Sequence, residues 1–263
     1  MKMVLWMAMA LGMATLAPAA SIVAVDAYGG ASGPTADSSN NHANGDVIGK
    51  LRSFDIFFVS VSNTGNNVTA SVVMNYGANG GDTTLSGIKV GSFPTVNPGD
   101  ILISNGANKW AIPLISHTNS APGAGGLTMA GLWSVPDFLK AKTVLGNPSN
   151  GIYRPEEYVW GKYDNTATLQ STVNTRTVQA GPGGGYQIQV DISFLLVGNA
   201  NTNAFLNALG DSNTLLHFAS ATCGNDVVDG SPTGDQGVPE PASLALMGAG
   251  LLGIGLWGRK RIA

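Results

Sequence analysis

The chain has 263 residues, a formal charge of -3 and only 11% charged residues beside 44% hydrophobic ones. That length can bury a real core, while the sparse, acidic charge excludes a nucleic-acid binder, whose phosphates call for a basic face. The single cysteine, Cys223, rules out an intramolecular disulfide and reads as a small buried hydrophobe.

At the N-terminus, Met1-Lys2 is a short positive region and Met3 to Leu16 an apolar one. Ala17-Pro18-Ala19-Ala20 then supplies small residues for cleavage. Residues 1–20 read as a secretory signal peptide, cut after Ala19 or Ala20, which implies the Sec translocon and signal peptidase. Residues 21–45 read as a flexible lead-in, because Ala27 to Gly45 is rich in Gly, Ser and Asn and has no period.

Residues 46–223 read as the body. Phe54 to Ser62 and Val68 to Tyr76 are β-branched and aromatic, and form a hairpin across a five-residue loop, Asn63 to Asn67. Asn97-Pro98-Gly99-Asp100 is a turn opening a strand at Ile101 to Ser104; Asn105-Gly106 is another, before a strand at Lys109 to Ile115. Leu127 to Val135 has strand character, Val135 to Ala141 starts a helical turn or two, and Glu157 to Tyr163 carries alternating aromatics. Ala167 to Ala180 is a Thr-rich strand. Tyr186 to Val197 alternates, with Ile188, Val190, Ile192 and Phe194 on one face and Gln187, Gln189, Asp191 and Ser193 on the other. Asn201 to Leu209 reads as a short helix capped by Asn201 or Thr202, and Asn213 to Thr222 as the last strand. Residues 224–237 read as a polar linker. The fold class is therefore all-β: a β-sandwich in jelly-roll-like order, flanked by the signal helix and a C-terminal transmembrane helix.

The search for chemistry finds little. Gly-x-Ser-x-Gly, His-Glu-x-x-His and Cys-x-x-Cys are all missing, and His42, His117 and His217 lie far apart. No catalytic residue, metal or cofactor is expected. Glu156-Glu157 reads as turn and strand-edge charge, and Asn225, Asp226 and Asp229 as turn residues with oxygens that calcium would also accept. Trp110, Trp133, Tyr158, Trp160 and Tyr163 read first as core and second as a sugar-stacking platform.

The last 26 residues, 238–263, carry the sharpest signal. Val238-Pro239-Glu240-Pro241 precedes the apolar run Ala242 to Trp257, which Gly258 and the basic cluster Arg259-Lys260-Arg261 follow. Sixteen uncharged residues make a helix of roughly 24 Å, short for a bilayer core of about 30 Å but able to insert. The basic cluster keeps its end cytoplasmic and the body outside. Between Asp26 and Glu240 lie nine Lys and Arg and all sixteen Asp and Glu, so the exported part is near minus seven.

This tail resembles the PEP-CTERM sorting signal, also called the ice-binding protein C-terminal domain, a name that says nothing of ice binding by the body. The resemblance implies processing by exosortase, a membrane cysteine protease of Gram-negative bacteria, near Pro239-Glu240-Pro241. It also implies transient anchoring in the inner membrane, then delivery to the cell surface or extracellular matrix. The body's Phe54-Asp55-Ile56, Asn75-Tyr76, Gly99 to Ile103, Tyr153 to Glu156, Trp160-Gly161, His217-Phe218 and Cys223 to Asp226 look like bodies on other PEP-CTERM surface proteins. Their layout is similar to carbohydrate-binding sandwich modules. The leading expectation is a non-enzymatic surface or matrix protein. The alternative is a carbohydrate-binding module of the exopolysaccharide layer, and a glycan hydrolase is third.

Overall fold

The computed structural model describes residues 20–25, 54–77, 82–88, 95–123, 125–129, 131–146, 156–182, 187–220, 222 and 226–232. Residues 1–19 of the expected signal peptide 1–20, Val238 to Pro241, the span 242–257 and Arg259 to Arg261 lie outside these residues, as do His42, Cys223 and Asn225. Among the described residues, no helix is long and apolar enough to cross a membrane.

The expected β-class is met. Strands β1 (Ser21–Val25), β2 (Ile56–Thr64), β3 (Asn67–Asn75), β10 (Ser171–Ala180) and β11 (Gln187–Leu196) form a five-stranded sheet in the order β1-β2-β3-β11-β10. A six-stranded sheet runs β13-β12-β4-β5-β6-β9, from β4 (Asp100–Asn105), β5 (Asn108–Pro113), β6 (Trp133–Ser134), β9 (Thr168–Leu169), β12 (Leu215–Ala219) and β13 (Val227–Gly230). Strands β7 (Phe138–Lys140) and β8 (Tyr158–Gly161) pair separately. Every ladder is antiparallel.

Alternation explains the layers. On β4, Ile101 and Ile103 join the main core while Leu102 joins a second cluster on the opposite face; on β5, Trp110 and Ile112 do the same against Ala111. The five-stranded sheet sends Ile22, Val59, Val61, Val72, Val190 and Phe194 into that same main core. Helix α2 (Ala200–Ala208) adds Phe205, whose ring meets Trp110 edge-on with centroids 5.5 Å apart. The other face of the six-stranded sheet is covered by β7, β8 and α1 (Ala141–Leu145), through Leu139, Val144, Val159 and Trp160 against Ala219.

Several expectations need correction. The β2–β3 loop is a two-residue turn, Gly65-Asn66, instead of five residues, because Thr64 still pairs with Asn67. Gly65 at φ 60 and Gly106 at φ 58 each hold the first central position of a tight turn, where a side chain would be strained. The segment Val135 to Ala141 is not helical throughout: Phe138 to Lys140 form β7, since pairing with β8 offers them a ladder, and the helix begins at Ala141. Helix α2 starts earlier than expected. Asn199 caps it by accepting from the Thr202 amide at 3.0 Å, and the Thr202 hydroxyl accepts from the Asn199 amide at 2.9 Å. Finally, the lead-in 21–45 begins with strand β1, and the linker 224–237 contains strand β13.

β13 is held by more than its ladder. Asp226, fully buried, accepts from the Ile56 amide at 2.6 Å and from the Val227 amide at 3.0 Å. One carboxylate thus ties the start of β2 to the start of β13, 170 residues on. Asp226→Ala should cost about 2–3 kcal/mol, the price of stranding buried amides. Thermal melts of the two proteins should differ by roughly 4–10 °C, and equal midpoints would show that the tie is not needed.

Candidate functional site

One group of buried polar side chains lies on the outer face of the six-stranded sheet, beneath β7–β8. Asp100 opens β4 and points to that face. Its carboxylate meets His117 Nε2 at 2.9 Å and accepts from the Gly161 amide at 2.9 Å. His117 Nδ1 lies 2.8 Å from the Thr118 carbonyl. The Trp160 ring stacks on the imidazole, with centroids 4.1 Å apart and planes at 12°, and donates from its indole to the Pro98 carbonyl at 2.9 Å. Asp100, His117 and Trp160 all have zero exposure.

Both nitrogens of His117 face acceptors, so only the protonated ring can donate to both. Burial works against that charge and is the largest single influence. The Asp100 charge and hydrogen bond, with the Thr118 carbonyl, together outweigh it and raise the pKa above the ordinary histidine value. An Asp–His pair invites comparison with an acid–base dyad. Here no face of either side chain is open to a substrate, and the pair acts as a pin between β4, the His117 segment and β8.

His217, on β12, repeats the logic nearer the surface. Its Nδ1 meets Asp229 at 2.7 Å and its Nε2 the Tyr158 carbonyl at 2.8 Å, two acceptors again. Burial opposes its charge most, yet Asp229, the Tyr158 carbonyl and Glu157 together raise its pKa. His217 is thus a packed histidine with both ring nitrogens partnered. Asp229 is engaged with His217 and Asp226 with backbone amides, and among the described residues no three His, Cys, Asp or Glu side chains gather as metal ligands.

The aromatic candidates divide. Trp110 at 1% exposure and Trp160 at 0% are core. Trp133 and Tyr163 are half-buried and meet edge-on at 6.3 Å. Tyr158 is 39% exposed, with Phe138 edge-on at 5.9 Å and the Lys140 ammonium 5.5 Å above its ring. Lys140 and Lys142 both bind Glu156, and their hydrogen bonds hold that carboxylate down to about 2. Glu156 and Glu157 therefore serve a charge cluster at the mouth of β8, in keeping with their reading as strand-edge charges. The sequence reading missed Asp100 and Asp229 as partners, since each finds its histidine only through the fold.

The decisive signal lies outside the described residues. Residues 237–261 match the PEP-CTERM protein-sorting motif. The motif marks an exported protein that is anchored transiently in the membrane and has exosortase as its processing partner. The match spans the residues singled out above: Val238 to Pro241, the apolar run and Arg259-Lys260-Arg261. No curated protein and no solved structure matches the chain.

The two histidines make stability pH-dependent in a stated direction. A raised folded-state pKa means that the folded protein holds the proton more tightly than the unfolded chain. This stabilisation is complete below the ordinary histidine value of about 6.5 and is lost as pH climbs through the raised values. Melting temperature should fall as pH rises above about 6.5. Asp100→Asn should cost about 3 kcal/mol at pH 6 and flatten that fall. Melts of both proteins from pH 5.5 to 8.5 check this; a wild-type midpoint that climbs across the window would contradict it.

Proposed function

We propose that the chain is a non-enzymatic surface protein of a Gram-negative bacterium. It crosses the inner membrane by the Sec translocon, loses residues 1–19 or 1–20 to signal peptidase, and is held by its tail until exosortase cuts near Pro239-Glu240-Pro241. The body then stays at the cell surface or in the extracellular polysaccharide. The observation that carries this reading is the sorting motif at 237–261. The body is read as a β-sandwich because both large sheets contribute to one core. A jelly-roll-like order has weaker support, since the neighbours β2–β3, β4–β5, β10–β11 and β12–β13 stay within one sheet. A display role suits a body in which the buried Asp100, His117 and Asp226 are engaged with one another or with backbone.

Processing is the direct test. Intact-mass analysis of surface material should show loss of Arg259 to Arg261 in a host with exosortase and their retention in one without it. Glu240→Ala leaves the apolar span untouched, so it should insert normally yet accumulate uncut in the inner membrane. Release of this variant at the normal rate would overturn the motif's role.

A second reading, carbohydrate binding, is favoured by Tyr158. Its ring is open to solvent beside Lys140, Glu157 and His217, a mixture of aromatic face and polar groups that suits a sugar. A glycan array on the exported body, with calcium and with chelator, separates the two. Binding that Tyr158→Ala weakens about tenfold would support the module. An array without binding leaves the structural role. A hydrolase would need two carboxylates facing across a cleft, and Glu156 is instead tied by two lysines.

A further inference from the structure

The signal peptide has two candidate scissile bonds, and the fold distinguishes them. β1 is an edge strand, in register with β2 from Ser21↔Ser62 to Val25↔Phe58. The ladder does not stop at Ser21. The Asn63 amide donates to the Ala20 carbonyl at 3.1 Å, and the Ala20 amide donates to Asn63 Oδ1 at 3.2 Å. Ala20 also packs, half-buried, against the main core. Among the described residues the ladder therefore begins at Ala20, one position before the strand.

We propose that signal peptidase cuts between Ala19 and Ala20, leaving Ala20 as the N-terminal residue of the mature protein. The proposal rests on the export reading given above. Hydrolysis of this peptide bond adds one water, with the carboxylate left on Ala19 and the amine on Ala20. The new amine, protonated at neutral pH, keeps Asn63 Oδ1 as its acceptor and turns a neutral hydrogen bond into a charge-assisted one. A cut one residue later removes both Ala20 groups and leaves the Asn63 amide and Oδ1 without those partners. The sequence agrees with the geometry. A cut after Ala19 places small Ala17 and Ala19 at the two positions that an Ala-x-Ala site requires, whereas a cut after Ala20 places Pro18 at the outer one.

The position also sets an order of events. A protease must hold the chain extended on both sides of the bond it cuts, and the docked Ala20 is already committed to Asn63. Cleavage therefore precedes the docking of β1. Once docked, β1 lies against β13: a side chain at Gly230 would come within 2.7 Å of Ala24 Cβ and 2.9 Å of the Val23 carbonyl.

The test uses the full chain expressed in a secreting Gram-negative host, with N-terminal sequencing and intact mass of the exported protein. The expected first residue is Ala20. A mature protein beginning at Ser21 or beyond overturns the proposal and leaves the export reading standing, whereas a protein still carrying Met1 overturns the export reading itself. Ala19→Leu should abolish the product that begins at Ala20, because the position before the cut would no longer be small. Undiminished yield of that product also overturns the assignment.

Discussion

A carboxylate taken fully out of water is costly unless every oxygen finds a partner, and Asp100 shows how the body meets that condition. Its oxygens gather His117 from one segment and the Gly161 amide from another, while Trp160 covers the imidazole. The outer layer, β7–β8 with α1, is thereby fixed to the six-stranded sheet at one polar point inside an apolar contact. Leu139, Val144 and Val159 supply area around it, which is non-directional. The pin supplies the direction. Tyr158 stands at the exposed start of β8, next to Lys140 and His217.

Among the described residues, several surface charges are paired. Lys109 meets Asp137 at 2.9 Å, Lys140 and Lys142 share Glu156, and His217 meets Asp229. Exposed pairs of this kind add little stability each. Among the described residues, their effect is on the surface, where they engage Lys109, Lys140 and Lys142 without altering the net charge. On the other sheet, Ser71 donates to Asp191 at 2.6 Å and Gln189 donates to both Asp191 oxygens, so that face is also largely self-satisfied.

Where one face of a strand is buried and the other wet, the pattern in the chain was enough. β11 could be read residue by residue, because Ile188 to Phe194 alternate with Gln187 to Ser193 as the sheet demands. The short edge strands were harder. β13 has only Val227 and Val228 amid Asp and Gly, and its stability comes from β12 and the Asp226 tie, neither of them local. β7 was mistaken for helix because its partner lies twenty residues on and a ladder outweighs local propensity. The Asp100–His117–Trp160 pin has no motif at all. Its members come from three segments and meet only through packing, so the one hint was an Asp opening an otherwise apolar strand. The tail needed no fold to be read, since a peptidase and a membrane act on extended or helical sequence directly.

The contact between β1 and β13 has a consequence for how this body could be rewired. The first and last strands of the described body touch at Val23, Ala24 and Gly230, so the two ends of that described body lie on neighbouring strands. Ends so placed can be joined by a few flexible residues without crossing the core. New ends could then be opened at Gly65-Asn66 or Gly106-Ala107, turns with nothing packed against their glycines. The strand order in space would be kept while the order along the chain changed. Such a circular permutant would carry its sorting tail at a corner of its own choosing, separating the architecture of the sheets from the route of export.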